Sequence, residues 1–149
     1  MECESCERLK GNNNLICETN YWKISLNPEQ RYVGRSVVAL KRHCEDLSNL
    51  TKEELLDFHV VVKSIETIIK KAFNATLFNW GCLMNDTYQK ENPTPHVHWH
   101  LRPRYKNPVL LEGILFEDKE FGYHYNREEK RFVPKEVQEK IIKKMKSEL

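Results

Sequence analysis

No stretch of the chain approaches the roughly eighteen uninterrupted apolar residues that a spanning helix requires, so a membrane-embedded class is not expected. The first residues, Met1-Glu2-Cys3-Glu4, lack the basic-then-apolar order of an export signal. A dominant charge is also missing: 24 Lys and Arg stand against 22 Asp and Glu, for a formal net charge of +2. So small an excess does not supply the long-range pull of a bulk nucleic-acid binder, and any preference for an anion must come from a local cluster of donors. Internal repeats are absent. The 5 cysteines, Cys3, Cys6, Cys17, Cys44 and Cys82, are odd in number, which suits a reducing, cytoplasmic compartment better than a disulfide framework. Of these, Cys17, Cys44 and Cys82 read as ordinary buried thiols.

What remains is a chain of 149 residues, large enough for one well-packed domain and too short for two. Thr51-Lys52-Glu53-Glu54 has the form of a capping box, and Leu55, Phe58, Val62, Ile65, Ile69 and Ala72 then recur at three- and four-residue steps. The pattern predicts a long helix with one apolar stripe packed on a sheet. Pro134 opens a second helix, with Val137, Ile141, Met145 and Leu149 repeating every fourth residue. Segments rich in β-branched and aromatic residues, 21–26, 35–40, 77–83 and 96–101, are predicted strands. The turn-like Asn27-Pro28-Glu29 and Gly34 favour an antiparallel connection between the first two. The predicted class is α+β: a single domain with a mostly antiparallel sheet, one long central helix and a C-terminal helix.

The most informative stretch is Thr94-Pro95-His96-Val97-His98-Trp99-His100-Leu101-Arg102. It alternates strictly between polar and apolar from His96 onward. On a strand, successive side chains point to opposite faces, so Val97, Trp99 and Leu101 enter the core while the three histidines and Arg102 project together, roughly 7 Å apart. A fortuitous polar face or a metal patch are the competing readings. Three partly desolvated imidazoles, each needing partners for both nitrogens, are costly as decoration.

His96-Val97-His98-Trp99-His100-Leu101 resembles the motif of the histidine triad family. Leu40-Lys41-Arg42-His43, Glu45-Asp46-Leu47 and the helix start at Leu50-Thr51 resemble its upstream half. The likeness covers about residues 3 to 105, leaving 106–149 as a C-terminal extension of the same domain. The resemblance implies an enzyme acting on nucleotide phosphoanhydride or related nucleotidyl bonds, with dinucleoside tetraphosphates as the leading substrate class. It assigns His98 as the nucleophile that forms a covalent nucleotidyl intermediate, His100 as a donor to phosphate or leaving oxygens, and Asn85 as a phosphate-contacting amide. A nucleotidyl transferase or phosphorylase and a nonenzymatic nucleotide-binding protein are the alternatives. The family's usual Gly-Gln pair is replaced by Glu91-Asn92, so Asn92, or Thr94 or Gln89 in place of its shorter amide, would take the leaving-group contact, and Asn27 would lie near the ribose.

Arg102 stands where the family expects an apolar residue, which implies a more cationic site and a preference for several phosphates. The other reading of Arg102 is a surface arginine finishing an edge strand before Pro103. The Cys3/Cys6 pair, with His43 and His96, further resembles the Cys2His2 set of some members, implying a structural zinc with no open position. A redox pair, without a thioredoxin-like strand and helix around it, and cysteines of a disordered tail are the competing readings. A homodimer paired through helix and sheet is likewise implied by the resemblance. Asn79, Trp80, Arg35 and His124 are further candidate neighbours of the site.

Overall fold

A computed structural model describes residues 2–149. Its main sheet has five strands, β1 (Leu15–Glu18), β2 (Trp22–Leu26), β3 (Ser36–Leu40), β4 (Leu77–Gly81) and β5 (His98–Arg104), in the spatial order β1-β2-β3-β5-β4. Every pairing in it is antiparallel. A two-stranded hairpin, β6 (Val109–Leu111) and β7 (Ile114–Phe116), follows the sheet. Three helices complete the fold: α1 (Glu4–Lys10), α2 (Lys52–Phe73) and α3 (Lys135–Lys146). This is the α+β arrangement the sequence predicts. Helix α1, strand β1 and the hairpin are additions, all too short to show a periodic signal.

Alternation along the strands decides which side of the sheet is core. Trp22, Ile24 and Leu26 of β2, Val38 and Leu40 of β3 and Leu101 of β5 are buried against Val61, Ile65, Ile68, Ile69 and Phe73 of α2 and Ile141 and Met145 of α3. Phe58 of α2 lies among three tryptophans, stacked at 4.9 Å on Trp99 and tilted or edge-on to Trp22 and Trp80. The opposite face of β5 carries His98, His100, Arg102 and Arg104. A core on one side alone therefore leaves the histidine face free for chemistry.

The buried stripe of α2 is rotated from the predicted one. Leu55 is 50 % exposed and Glu54, the next residue back, is 2 % exposed. The capping box explains the rotation. Thr51 Oγ1 accepts from the Glu54 amide at 3.2 Å, while the Glu54 carboxylate accepts from the Thr51 amide at 2.8 Å and from Arg42 Nε at 2.5 Å. Glu54 is thus drawn inward as a fully partnered anion, and Leu55 turns about 100° away. Helix α3 keeps its predicted face except at Leu149, which lies past the helix end and is 68 % exposed. Cys44 is buried as predicted, whereas Cys17 and Cys82 are only half-buried.

The extension is tied down by Arg104. Its guanidinium is 2 % exposed and donates to both carboxylate oxygens of Asp118, at 2.7 and 3.0 Å, to the Asn79 side chain and to the carbonyls of Glu120 and Tyr123. Residues 131–133 then run beside 28–30, with Gln30 donating to the Arg131 carbonyl and Val133 to that of Pro28. These bonds hold residues 118–130 beside the end of the histidine face.

The Arg42 guanidinium holds the Glu54 carboxyl below its ordinary value of 4.5, with the Thr51 amide adding to the effect. A carboxyl with a depressed folded pKa stabilises the fold above its unfolded pKa and loses that contribution as pH falls through the folded one. Glu54→Gln should therefore cost about 1 to 3 kcal/mol at neutral pH. Denaturant titrations should show the gap from wild type closing as pH drops below 4.5.

Candidate functional site

The histidine row divides between two jobs. Regular pairing of β5 begins at His98, two residues later than predicted, because Val97 accepts from the Leu40 amide and donates to the Cys44 carbonyl instead of continuing the ladder. His98 and His100 share one face, with ring centroids 5.0 Å apart and planes nearly perpendicular. His96 is 2 % exposed and turns toward the N-terminal segment, its ring 5.5 Å from that of His43. The sequence expectation of three imidazoles projecting together thus holds for two of them.

His98 Nδ1 lies 2.7 Å from the backbone carbonyl of His96. A carbonyl oxygen only accepts, so Nδ1 carries a proton, and the neutral form of the ring is the tautomer with its lone pair on Nε2. That tautomer is the one a nucleophilic imidazole needs. His100 is half-buried, and burial, reinforced by the charges of His98, Arg102 and Arg35, pushes its pKa down to about 3. It is therefore a neutral ring whose single N–H can donate; its Nδ1 is buried and has no hydrogen-bond partner among the described residues.

From His100 a small cleft of about 110 Å3 leads away under the extension, lined on the strand side by His100, Arg102 and Arg35. Asn85, Tyr125 and Lys130 are among the residues on its other walls. Arg102 occupies the predicted face, its guanidinium 4.1 Å from the centroid of the Tyr125 ring. Of the other predicted substrate residues, Asn27 follows β2 and its side-chain oxygen accepts from the Glu29 amide at 2.9 Å. Asn92 is exposed in the loop before the triad, and Thr94 is half-buried there, its amide donating to Thr87 Oγ1 at 2.7 Å. None of these three lines the cleft. Asn79 is held by Arg104, and Trp80 points to the core side, donating to Glu66 at 2.9 Å. His124 is exposed beside Tyr125, its ring centroid 4.2 Å away.

Cys3, Cys6, His43 and His96 form a second constellation, their ligand atoms all within 4.8 Å of one another. Cys3 Sγ and Cys6 Sγ lie 3.5 and 3.4 Å from His96 Nδ1, and Cys6 Sγ lies 3.4 Å from His43 Nδ1. A tetrahedral ion with bonds of about 2.0 to 2.3 Å would set neighbouring ligands roughly 3.5 Å apart. Both imidazoles are already oriented to bind through Nδ1: His96 Nε2 donates to the Leu40 carbonyl at 2.7 Å, and His43 Nε2 faces the Glu45 carboxylate at 3.3 Å. Burial and the neighbouring Cys3 raise the Cys6 thiol above its ordinary value. The four residues could hold a metal ion. Helix α1, which carries Cys6, is anchored by Lys23, whose ammonium donates to the Leu9 carbonyl at 2.8 Å, and by the Lys90–Glu4 ion pair.

Sequence reasoning treated Arg35 only as a possible neighbour and passed over Arg104. Both sit at positions whose burial depends on the extension folding back, which no local periodicity reveals.

Comparison with known proteins is consistent across sequence and structure. Residues 9–107 match the HIT domain family. The asymmetrical bis(5′-nucleosyl)-tetraphosphatase of Schizosaccharomyces pombe is 30% identical over 87 residues, 58% of this chain and 47% of that protein, so the match spans about half the relative's length. A HIT family protein from Bacillus anthracis is 30% identical with a TM-score of 0.58, covering 71% of this chain and 75% of its own. A zinc-bound histidine triad family protein from Mycobacterium smegmatis shares the fold at 17% identity and a TM-score of 0.65, covering 99% of this chain and 93% of its own.

An unfolded histidine takes a proton near pH 6.5, whereas folded His100 resists one until about 3. Ionisation of His100 is therefore neutral to folding at pH 7, and as pH falls from 6.5 toward 3 the proton taken up by the unfolded ring alone progressively favours unfolding. Nitrogen-detected NMR should find the His100 ring neutral at about pH 5, where an ordinary imidazole is mostly charged; a midpoint near 6.5 would contradict its burial.

Proposed function

The chain belongs to the HIT, or histidine triad, family, and from that premise we propose that it is a nucleotide hydrolase working through a nucleotidyl-His98 intermediate. The observation that carries this reading is the 2.7 Å bond from His98 Nδ1 to the His96 carbonyl, which sets the neutral ring in the tautomer with its lone pair on Nε2. In the first step Nε2 forms a bond to the phosphorus next to the nucleoside while the bond from that phosphorus to the leaving oxygen breaks. In the second, water takes the place of the leaving group, its oxygen bonding to phosphorus as the P–N bond breaks and one of its protons passing to solvent. Splitting one displacement into two easier ones is what covalent catalysis contributes.

His100, neutral in the resting protein, supplies an N–H to a nonbridging oxygen rather than a full proton. Such a donor suits a phosphate leaving group, which departs as a stable anion. The similarity to a tetraphosphatase supports dinucleoside tetraphosphates as the substrate class. Asn85 and Arg102 are assigned to the phosphates, Asn27 to the nucleoside side, and Asn92 or Thr94 to the leaving group in place of the family's usual glutamine.

The Cys3, Cys6, His43 and His96 site is assigned to structural zinc. Two thiolates and two imidazoles close a tetrahedron with no position for water, so the ion would tie the N-terminal segment to the start of β5 and take no part in the reaction. A homodimer is supported by the free edge of β4 and by exposed Leu55, Leu56 and Val60 on α2. Among the described residues no helix is long and apolar enough to cross a membrane; the unpaired cysteines fit a cytoplasmic setting.

Early quenching with a dinucleoside tetraphosphate should yield one nucleotidyl adduct on the peptide containing His98. His98→Asn should lose both the adduct and at least about a thousandfold in turnover while still binding nucleotide; near-normal activity in that variant would end the mechanism. Elemental analysis should find one zinc per chain, absent from the Cys3→Ser/Cys6→Ser double variant, and chelation should lower the melting temperature of wild type alone.

A further inference from the structure

We propose that Cys3 and Cys6, beyond holding a metal, are an oxidisable pair whose closure into a disulfide releases the ion and withdraws support from the nucleophile. The proposal rests on the metal assignment above and, for its effect on turnover, on the His98 reading. Geometry carries it. Cys3 caps α1 and Cys6 lies in its first turn, which is closed by the Glu7 amide donating to the Cys3 carbonyl at 3.1 Å. Across one helical turn two Cβ atoms stand roughly 5 to 6 Å apart, a short movement from the ~4 Å of a disulfide. The two sulfurs already lie within 4.8 Å of each other.

Access and anchorage both favour the reaction. Cys6 is half-buried and His43 exposed, so solvent reaches the cluster from one side. Helix α1 buries none of its own residues. Among the described residues its other polar ties to the domain are Lys23, donating to the Leu9 carbonyl, and the surface pair of Lys90 with Glu4. A segment without a core of its own opens locally at low cost, so the docking of α1 depends on the four-residue cluster. With hydrogen peroxide as oxidant the electrons balance. One sulfur attacks the O–O bond, becoming a sulfenic acid as water leaves; the other sulfur displaces the hydroxyl, forming the S–S bond and a second water. Two electrons pass from sulfur to oxygen, and two protons complete the waters. The sulfurs thereby lose the charge with which thiolates hold a dication.

The disulfide also takes a partner from His96. Nε2 of that ring donates to the Leu40 carbonyl, so Nδ1 carries the lone pair, and it lies 3.5 and 3.4 Å from the sulfurs of Cys3 and Cys6. A metal ion meets that lone pair, and so does a thiol hydrogen; a disulfide offers it no donor. The ring is buried, so an unmet nitrogen there is costly and the residue is driven to move. Its carbonyl is the acceptor that sets the tautomer of His98. Cys3 and Cys6 are therefore positioning residues for the nucleophile, acting through one peptide unit, and oxidation reverses their effect.

Stoichiometric hydrogen peroxide tests this on the zinc-loaded full chain carrying Cys17→Ser and Cys82→Ser, which remove the other half-buried thiols. The tryptic peptide 1–8 holds both cysteines and should lose the mass of two hydrogens, while a chromogenic chelator records the zinc released. Peptide 1–8 gaining oxygen instead, or closing its disulfide with zinc retained, would overturn the proposal. By NMR the His98 Nδ1 proton should exchange faster once the pair is oxidised; an unchanged proton would overturn the link to the nucleophile. Turnover of a dinucleoside tetraphosphate should fall at least about tenfold in kcat with KM little changed, and dithiothreitol with zinc should restore it. Reduced protein stripped of zinc by chelation should keep most of its kcat, because the thiols still meet Nδ1; a loss equal to that on oxidation would overturn the role of the disulfide. Should the double variant not fold, wild type serves, with kcat compared against the oxidised fraction of each cysteine peptide. If the dinucleotide is not turned over at all, the nucleotidyl reading fails, while mass, zinc release and the His98 proton still decide the switch. Reduced protein that takes up no zinc would overturn the switch together with the metal assignment.

Discussion

The hydrogen bond from His98 Nδ1 to the His96 carbonyl is the constraint on which the rest of the site depends. It fixes a tautomer by the simplest means, since a carbonyl has no proton to give. It also requires the backbone at His96 to be held still. That residue is immobilised from both ends of its ring, by the Leu40 carbonyl at Nε2 and by two cysteine sulfurs near Nδ1. The proposed zinc site and the proposed nucleophile are thereby joined through a single peptide unit. An ion there would act on catalysis only by stiffening the support beneath His98, which is why its ligands can close around it completely.

The strand supplies the second requirement. Because the sheet has a packed core on one side only, the alternation of β5 separates Trp99 and Leu101 from His98, His100 and Arg102 without any special device. The same separation sets the electrostatics. His100 sits low enough in the face to lose its solvation and remain neutral, while Arg102, one step further, stays charged and stacks on an aromatic ring. Neighbouring positions on one strand thus present a ring nitrogen, a neutral donor and a cation in sequence along one face.

How much of this was legible beforehand depended on the range of the interaction. Period-two alternation exposed β5, and the capping box exposed the start of α2, because both signals are complete within a few residues. The same capping box also hid the true face of that helix: a stripe drawn through Leu55 ignores that Glu54 is pulled inward by Arg42 from another part of the chain. His96 shows the limit more sharply. Its spacing is identical to that of its neighbours, and only the bonds of Val97 to Leu40 and Cys44 reveal that it leaves the ladder and faces the cysteines. The family resemblance, not the alternation, placed it with the metal ligands.

Arg35 and Arg104 were beyond reach for the same physical reason. Nothing in the local pattern around either residue distinguishes a buried arginine from a surface one. Burial comes from residues 118–130, which fold back because Arg104 satisfies two carbonyls and a buried carboxylate at once. Fully partnered, Arg104 can serve as structure, since every donor that matters has a protein acceptor. Arg35, which meets the Glu29 carboxylate, and Arg102, which stacks on Tyr125, lack that completeness: the extension covers them without supplying the set of acceptors that it gives Arg104.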